Sequence, residues 1–437
     1  MKKITIIGTG YVGLVTGAGI SEFGHEVTCV DIDKNKIKKL NLGEIPIYEP
    51  ELESIVKRNK SKERLKFSDN INEAIKEAEI IIIAVGTPQG DNGYSDLTAI
   101  ENVAKRIGKN LNNYKIICTK STVPVGTGKK IEEIIRLNSK SIKFDYVSNP
   151  EFLREGAAVR DFLIPDRIVI GSHSKKAFKI MEDVYRPLFL NETPTINTNV
   201  ETAEMIKYAS NAFLALKISY INEIANLCDS VGADIHVVSK AMGQDGRISP
   251  KFLHPGPGFG GSCFPKDILA LANSGKKNNV KMNTIEAAIK TNNEQKLRMV
   301  FKLRSLLNNK LKNKTIAVLG LAFKPQTDDI RDAASTIIIP KLIKEEAIIN
   351  TYDPVAMENF KSLKLNINYF NNWEDAVKGA DALLLLTEWN EFRGIDLSKL
   401  KFLLKTPIVL DTKNILSIHN LHSLGFKFDN VGRKVIN

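Results

Sequence analysis

Residues 3 to 31 constrain the fold more than any other stretch. Lys3-Ile4-Thr5-Ile6-Ile7 reads as a strand, Gly8-Thr9-Gly10-Tyr11-Val12-Gly13 as a tight turn opening a helix of small residues, and His25-Glu26-Val27-Thr28-Cys29-Val30-Asp31 as a second strand. Strand, helix and strand in that order predict a parallel crossover, and G-x-G-x-x-G at its first turn is the dinucleotide-binding form of it. Gly8 permits the turn, Gly10 lets a pyrophosphate reach the helix N-terminus, and Gly13 lets helix and strand pack closely. Tyr11 and Val12 of the same turn count with them as cofactor contacts. Asp31 ends the second strand where a ribose hydroxyl needs an acceptor, and its carboxylate would repel a 2'-phosphate. NAD is therefore expected rather than NADP, although Lys34 and Lys36 stand just beyond.

The plan then recurs. After Val27–Asp31 come the apolar run 78–88 and the run 114–122. In the last third, Lys314-Thr315-Ile316-Ala317-Val318-Leu319-Gly320 is followed by 349–353, 380–387 and 406–414 in the same succession. Two separate α/β sheets are predicted. In the second copy the glycine turn has become Gly320-Leu321-Ala322-Phe323-Lys324-Pro325, which has lost its second glycine and gained a cation. It should not hold NAD in the same way. Lys324 at the carboxyl end of a first strand suits another phosphate-bearing ligand, and a solvent-facing lysine is equally compatible with that segment alone.

Between the sheets, 200–232 reads as one long helix, with Glu201 and Glu204 in its early turns and Gly232 near its end. Lys207 and Asn211 share a face of it, so two donors could steady an oxyanion. The helix has more apolar surface than one domain edge would cover, which predicts pairing across a twofold axis and a homodimer. The expected architecture is two Rossmann-like doubly wound parallel-sheet domains joined by a long central helix and a helical dimerisation region. The divisions fall at 1–196, 197–300 and 301–437.

One further segment carries chemistry: Gly258-Phe259-Gly260-Gly261-Ser262-Cys263-Phe264-Pro265-Lys266-Asp267. Glycines let backbone and substrate approach, a nearby lysine or helix N-terminus favours thiolate, and a carboxylate four residues on can manage protons or position water. By itself the segment reads first as a glycine-rich turn with a buried, inert cysteine. A hydride acceptor bound by the first turn gives the thiol something to work with.

Composition narrows the class. With 437 residues the chain should form two or three domains. It carries 62 basic and 50 acidic side chains, a net charge of +12, which would draw in an anionic substrate. The basic runs, such as 57–64, mix in acidic residues and lack interleaved aromatics, which disfavours nucleic acid as a partner. Cys29, Cys118, Cys228 and Cys263 show no CxxC or disulfide spacing and suit a reducing compartment. The histidines are scattered, so no metal is expected. No apolar run is long enough to span a membrane, and the N-terminal residues complete the fingerprint rather than a signal peptide. A soluble, cytoplasmic protein is expected.

The thiol segment, Asn149-Pro150-Glu151-Phe152-Leu153-Arg154-Glu155-Gly156, Ser121-Thr122-Val123-Pro124-Val125-Gly126-Thr127 and Gly320-Leu321-Ala322-Phe323-Lys324, taken in order, resemble the UDP-glucose/GDP-mannose dehydrogenase family along the whole chain. The resemblance implies double oxidation of a nucleotide sugar, UDP-glucose foremost, at C6, with two NAD in succession and a thioester on Cys263. On it, Lys207 and Asn211 hold the C6 oxygen, while Asp267 and a water held by Thr122 handle protons. Glu151 activates the hydrolytic water, although Asp267 can equally be given the base role. Phe152, Leu153, Arg154 and Glu155 line the sugar and cofactor cleft. Phe252, Leu253, Phe259, Gly260 and Lys324 meet the nucleotide sugar, with Arg247 reaching a neighbouring subunit's site. Lys36, Thr87, Thr122, Glu155, Cys263, Lys266 and Arg331 join the cofactor contacts. His254 departs from the small or amide residue more usual in the family. Relatives acting on N-acetylated sugars carry Gly-Gly-His-Cys where this chain has Gly-Gly-Ser-Cys, which leaves GDP-mannose as the nearer rival substrate. Two other classes remain open: a two-electron β-hydroxyacid-type dehydrogenase, which needs no thiol, and a non-catalytic nucleotide-binding protein on the same fold.

Overall fold

The structure, a computed structural model, describes residues 1–90 and 93–433. The chain separates into two compact units, Met1–Ser210 and Asn211–Asn437.

The first unit is built on eight strands: β1 (Lys3–Ile7), β2 (Glu26–Val30), β3 (Leu65–Ser68), β4 (Ile80–Ile83), β5 (Lys115–Thr119), β6 (Phe144–Ser148), β7 (Ile168–Gly171) and β8 (Thr195–Thr198). They lie in the order β3-β2-β1-β4-β5-β6-β7-β8. The pairings from β3 to β6 are parallel, with Ile4 opposite both Val27 and Ile80. Ile80, Ile81, Ile82 and Ile83 are all 0 % exposed, because helices cover both faces of a parallel sheet and its strands need no polar side. The sheet is not parallel throughout. β7 meets β6 antiparallel through the single match of Ser148 with Gly171, and the connection between them carries only the short helix Ala158–Leu163.

The second unit holds β9 (Thr315–Leu319), β10 (Ile348–Tyr352), β11 (Asn368–Tyr369), β12 (Ala382–Leu385), β13 (Ile408–Asp411) and β14 (Lys427–Asn430). These form one parallel sheet in the order β11-β10-β9-β12-β13-β14. Both sheets thus reverse direction beside their first strand, between β1 and β4 and between β9 and β12. That is where open α/β sheets bind ligands. The helix Val200–Val231 passes through the division between the units, and Gly232 ends it at φ +80°, the left-handed conformation glycine adopts without strain. The helices Phe264–Lys277 and Asn283–Leu306 belong to the second unit. Among the described residues no helix is long and apolar enough to cross a membrane.

Candidate active site

The glycine turn after β1 is shaped for a ligand. Gly8 stands at φ +103°, and a Cβ on it would lie 2.7 Å from the Ala84 carbonyl oxygen. A Cβ on Gly13 would come within 1.9 Å of the Gly8 oxygen, so turn, helix and sheet touch directly. Gly10 is different, since a Cβ there would meet nothing within 4 Å. It caps the helix Tyr11–Glu22 without any side-chain hydrogen bond, leaving N–H groups and open space where a pyrophosphate fits. Asp31 takes the Thr9 N–H at 2.8 Å and the Thr9 hydroxyl at 2.7 Å on Oδ2, and the Asp33 N–H at 3.1 Å on Oδ1. Burial pushes its carboxyl up, but those donors and Lys36, whose Nζ is 3.6 Å away, hold it below the usual range. It is an ionised acceptor at neutral pH, and the residues present fit NAD.

The carboxyl ends of β4, β5 and β6 bring the other motifs of this unit to the same edge. The Thr87 hydroxyl donates to the Thr122 carbonyl at 2.8 Å, and the Ser121 hydroxyl to Val85 O at 2.7 Å, so the loop after β5 is tied to the loop after β4. After β6, Glu151 and Lys207 form a buried ion pair of 3.0 Å with side chains 5 % and 4 % exposed. Glu151 also accepts the Leu153 N–H at 2.6 Å, and Phe152 lies under the Lys207 ammonium, 5.4 Å from its ring centre. Arg154 is exposed and grips Asp161 through two side-chain bonds of 2.9 and 2.6 Å, with half-buried Glu155 next to it.

In the second unit Cys263 is the N-cap of the helix Phe264–Lys277, with Pro265 in its first turn. The positive end of that helix favours thiolate over thiol. The Asp267 N–H bonds the Cys263 carbonyl at 2.8 Å, the Ser262 hydroxyl is 3.4 Å from the sulfur, and the thiol is half-buried. Asp267, 1 % exposed, is held by Lys266 at 2.6 Å and by Asn211 Nδ2 at 2.7 Å. The Lys266 cation is thus spent first on a carboxylate. Asn211 keeps a second amide hydrogen for another acceptor.

The residues expected at the nucleotide sugar divide by accessibility. Leu253 and Phe259 are 3 % and 6 % exposed, so their side chains are core. Gly260 is wedged against 332–333, where a Cβ would lie 2.4 Å from the Asp332 oxygen. Phe252, at φ +65°, and Phe259 both pack on Phe264 with ring centres 6.0 Å apart. The Arg247 guanidinium is exposed and chelates Asp245, and Arg331 chelates Asp329. Lys324 follows the altered turn, its ammonium 5.5 Å from the Phe323 ring. The N–H groups of Leu321 and Ala322 in that turn already donate to Asp353 at 2.7 and 3.1 Å. The second turn therefore lacks the open Leu321 and Ala322 amides that a dinucleotide turn would present.

Several buried polar residues beside these motifs were missed by sequence reasoning or, like Glu204, read there only as an acid near a helix start. Asn292, 4 % exposed, grips Phe259 on both sides, accepting its N–H at 2.7 Å and donating to its carbonyl at 3.1 Å. Glu49 accepts the Tyr11 hydroxyl and the N–H groups of Gly156 and Ala158. Lys120 is buried against Asn149 Oδ1 at 3.1 Å and the Tyr185 hydroxyl at 3.3 Å, and burial lowers its pKa. Glu204 binds the start of the helix Thr127–Asn138. None belongs to a motif. The available signal was a lone polar residue at a buried position of an apolar pattern.

A dinucleotide-binding fold with a cysteine at a helix N-terminus in its second half defines a dehydrogenase of the nucleotide-binding α/β class. More narrowly, the chain belongs to the UDP-glucose/GDP-mannose dehydrogenase family: its NAD binding domain matches residues 2–189, its central domain 201–294 and its UDP binding domain 317–418. The chain is 48 % identical to the UDP-glucose 6-dehydrogenase TuaD of Bacillus subtilis, over 100 % of this chain and 94 % of that protein. It is 46 % identical to the UDP-glucose 6-dehydrogenase of Rhizobium meliloti, over 99 % of each. Among solved structures, a UDP-glucose dehydrogenase from Pyrobaculum islandicum superposes with a TM-score of 0.92 at 33 % identity, covering 99 % of this chain and 98 % of that one.

Proposed function

We propose that this protein oxidises UDP-glucose at C6 to UDP-glucuronate, consuming two NAD per sugar. The observation that carries the reading is Cys263 at the N-terminus of a 14-residue helix with Asp267 one turn inside it, in a chain with an open glycine turn for NAD. NAD, held by the turn Gly8–Gly13 and Asp31, supplies the hydride acceptor. The C6 hydroxyl gives up its proton and the C6 carbon a hydride to leave an aldehyde, with the developing oxygen charge met by Lys207 and Asn211. The Cys263 thiolate adds to the aldehyde carbon, and the oxyanion takes a proton to give a thiohemiacetal. That adduct loses a second hydride and its hydroxyl proton to become a thioester. Water, activated by Glu151 or Asp267 with Thr122 holding it, adds to the thioester carbon and expels the thiolate, leaving a carboxylate. Lys324, Phe252 and the backbone at Phe259–Gly260 meet the nucleotide sugar, Lys324 at its diphosphate or sugar. The working divisions are 1–196 for NAD, 197–300 for the thiol and 301–437 for the UDP-sugar.

The protein acts as a cytoplasmic homodimer. Phe213, Tyr220 and Leu227, spaced seven apart on the long helix, are 61 %, 47 % and 57 % exposed, an apolar stripe of the kind a second copy covers. Light scattering at micromolar concentration should give twice the chain mass, and a monomer would overturn that part.

The enzymatic test is stoichiometry. Wild type should form two NADH per UDP-glucose, with GDP-mannose a poor substrate. Cys263→Ala should lose turnover while binding both ligands, and Cys263→Ser should carry sugar covalently, visible by mass spectrometry. One NADH per sugar, or near-normal turnover by Cys263→Ala, would give the reaction to a thiol-free dehydrogenase.

A further inference from the structure

The long helix begins with a buried face: Val200, Ala203, Glu204, Lys207 and Tyr208 are each 4 % exposed or less. A carboxyl group on that face three residues ahead of Lys207 needs a reason, because a polar group leaves water without a large cost only when hydrogen-bond partners replace it. Glu204 has two. Oε2 accepts the Gly126 N–H at 2.7 Å and Oε1 the Gly128 N–H at 2.8 Å. Gly126 is the N-cap of the helix Thr127–Asn138, which has no side-chain cap of its own, so Glu204 caps it from another helix. The approach is close by construction: a Cβ on Gly128 would lie 2.5 Å from Val200 Cγ1 and 3.1 Å from Glu204 Oε1.

That cap closes the loop that starts at Thr122. One end of the loop is held by Thr87 on the Thr122 carbonyl. Its middle is a tight turn in which the Thr127 N–H meets Pro124 O at 3.1 Å. Its far end is held by Glu204. The same helix turn then presents Lys207 to Glu151 at 3.0 Å. Beside the packing of Gly128 on Val200 and the pairing of the two strands that lead to Thr122 and Glu151, Glu204 is the carboxylate that ties the Thr122 segment directly to the helix turn bearing Lys207.

We propose that Glu204 is a positioning residue that fixes the Thr122 loop against the helix turn bearing Lys207 and so sets the geometry of the oxidation. This rests on the roles given above to Thr122 and Lys207. Glu204 touches neither substrate nor cofactor and acts through the two glycine amides. An amide in its place presents N–H to N–H at one of the two contacts, which pushes loop and helix apart.

The test uses the full-length chain with UDP-glucose and NAD. Glu204→Gln should lower kcat roughly 10- to 100-fold, as small misplacements of catalytic groups do, with KM for NAD raised by a smaller factor because the Gly8–Gly13 turn is untouched. Glu204→Asp, which keeps two acceptor oxygens on a shorter side chain, should recover part of kcat. Val200→Ala, packed on the same Gly128, serves as the stability control and should lower Tm without lowering kcat. Glu204→Gln with wild-type kcat well below its Tm, or with a loss matched by Val200→Ala, overturns the proposal. Amide exchange at Gly126 and Gly128, faster in Glu204→Gln than in wild type, reads the clamp without any substrate, and unchanged exchange also overturns it. A wild type inactive on UDP-glucose but with clamped amides would instead fault the functional reading.

Discussion

Removing Lys207 should cost stability as well as activity, and the amount can be worked out. Its ammonium and the Glu151 carboxylate are 3.0 Å apart with side chains 4 % and 5 % exposed. Lys207→Met leaves a buried carboxylate with the Leu153 N–H at 2.6 Å as a remaining donor. Removing one partner of a buried pair costs about 3–5 kcal/mol. An unfolding entropy of about 2.1 cal/mol/K per residue, taken over Met1–Ser210, gives about 0.44 kcal/mol/K for this unit. Its midpoint should therefore fall by ~7–11 °C. Adding Glu151→Gln to Lys207→Met removes the stranded charge and should recover about 2 kcal/mol of it, a coupling that a double-mutant cycle measures. Calorimetry on wild type, both single variants and the double variant, following the transition of the first unit, is the assay. A Lys207→Met cost under about 1 kcal/mol, or single effects that add within about 0.5 kcal/mol, would refute the picture of a buried, mutually dependent pair.

Asp31→Ser should weaken NAD and relatively improve NADP in steady-state kinetics, since the acceptor and the charge leave together; an unmoved preference would remove Asp31 from the ribose. Gly10→Ala should cost no more than about 1 kcal/mol as an N-cap change yet raise KM for NAD, because the space above Gly10 is open. Gly13→Ala, whose Cβ would sit 1.9 Å from the Gly8 oxygen, should instead lower Tm sharply, and equal Tm for the two would contradict that division. His25 accepts the Lys2 N–H on Nδ1 at 3.1 Å and sets Nε2 against Val184 O at 3.2 Å, so it is neutral, and burial lowers its pKa. The unfolded chain then binds more protons below about 6.5, and the stability His25 contributes above that pH is lost as pH falls, at up to about 1.4 kcal/mol per unit. Denaturation curves of wild type minus His25→Gln should show that slope. The subtraction matters because burial pushes Glu204 up to about 7, and a raised carboxyl adds stability as pH falls through that value.

The first strands, the glycine turns, the long helix and the thiol segment were legible because each is governed by local rules. Apolar runs such as Ile80–Ile83, a glycine spacing such as Gly8 to Gly13, and a left-handed stop at Gly232 can be read within a few residues. β8, Thr195–Thr198, and the two-residue β11, Asn368–Tyr369, could not. They are short and largely polar, and edge pairing rather than burial makes them strands.

For the site, the sequence by itself determined which chemical groups are present: a nucleophile, a hydride-acceptor turn, an ammonium and an amide one helical turn apart, and a cation in the second turn. Only the tertiary structure decided how they are engaged. It pairs Lys207 with Glu151, 56 residues away, spends Asn211 on Asp267, and closes the amides of the second glycine turn with Asp353. It also turns Glu204, which reads in sequence only as an acid near a helix start, into the cap of a different helix. The physical reason is that residue type and spacing fix what a side chain can donate or accept, while the partner it meets depends on which distant segments the sheet order brings to the same edge.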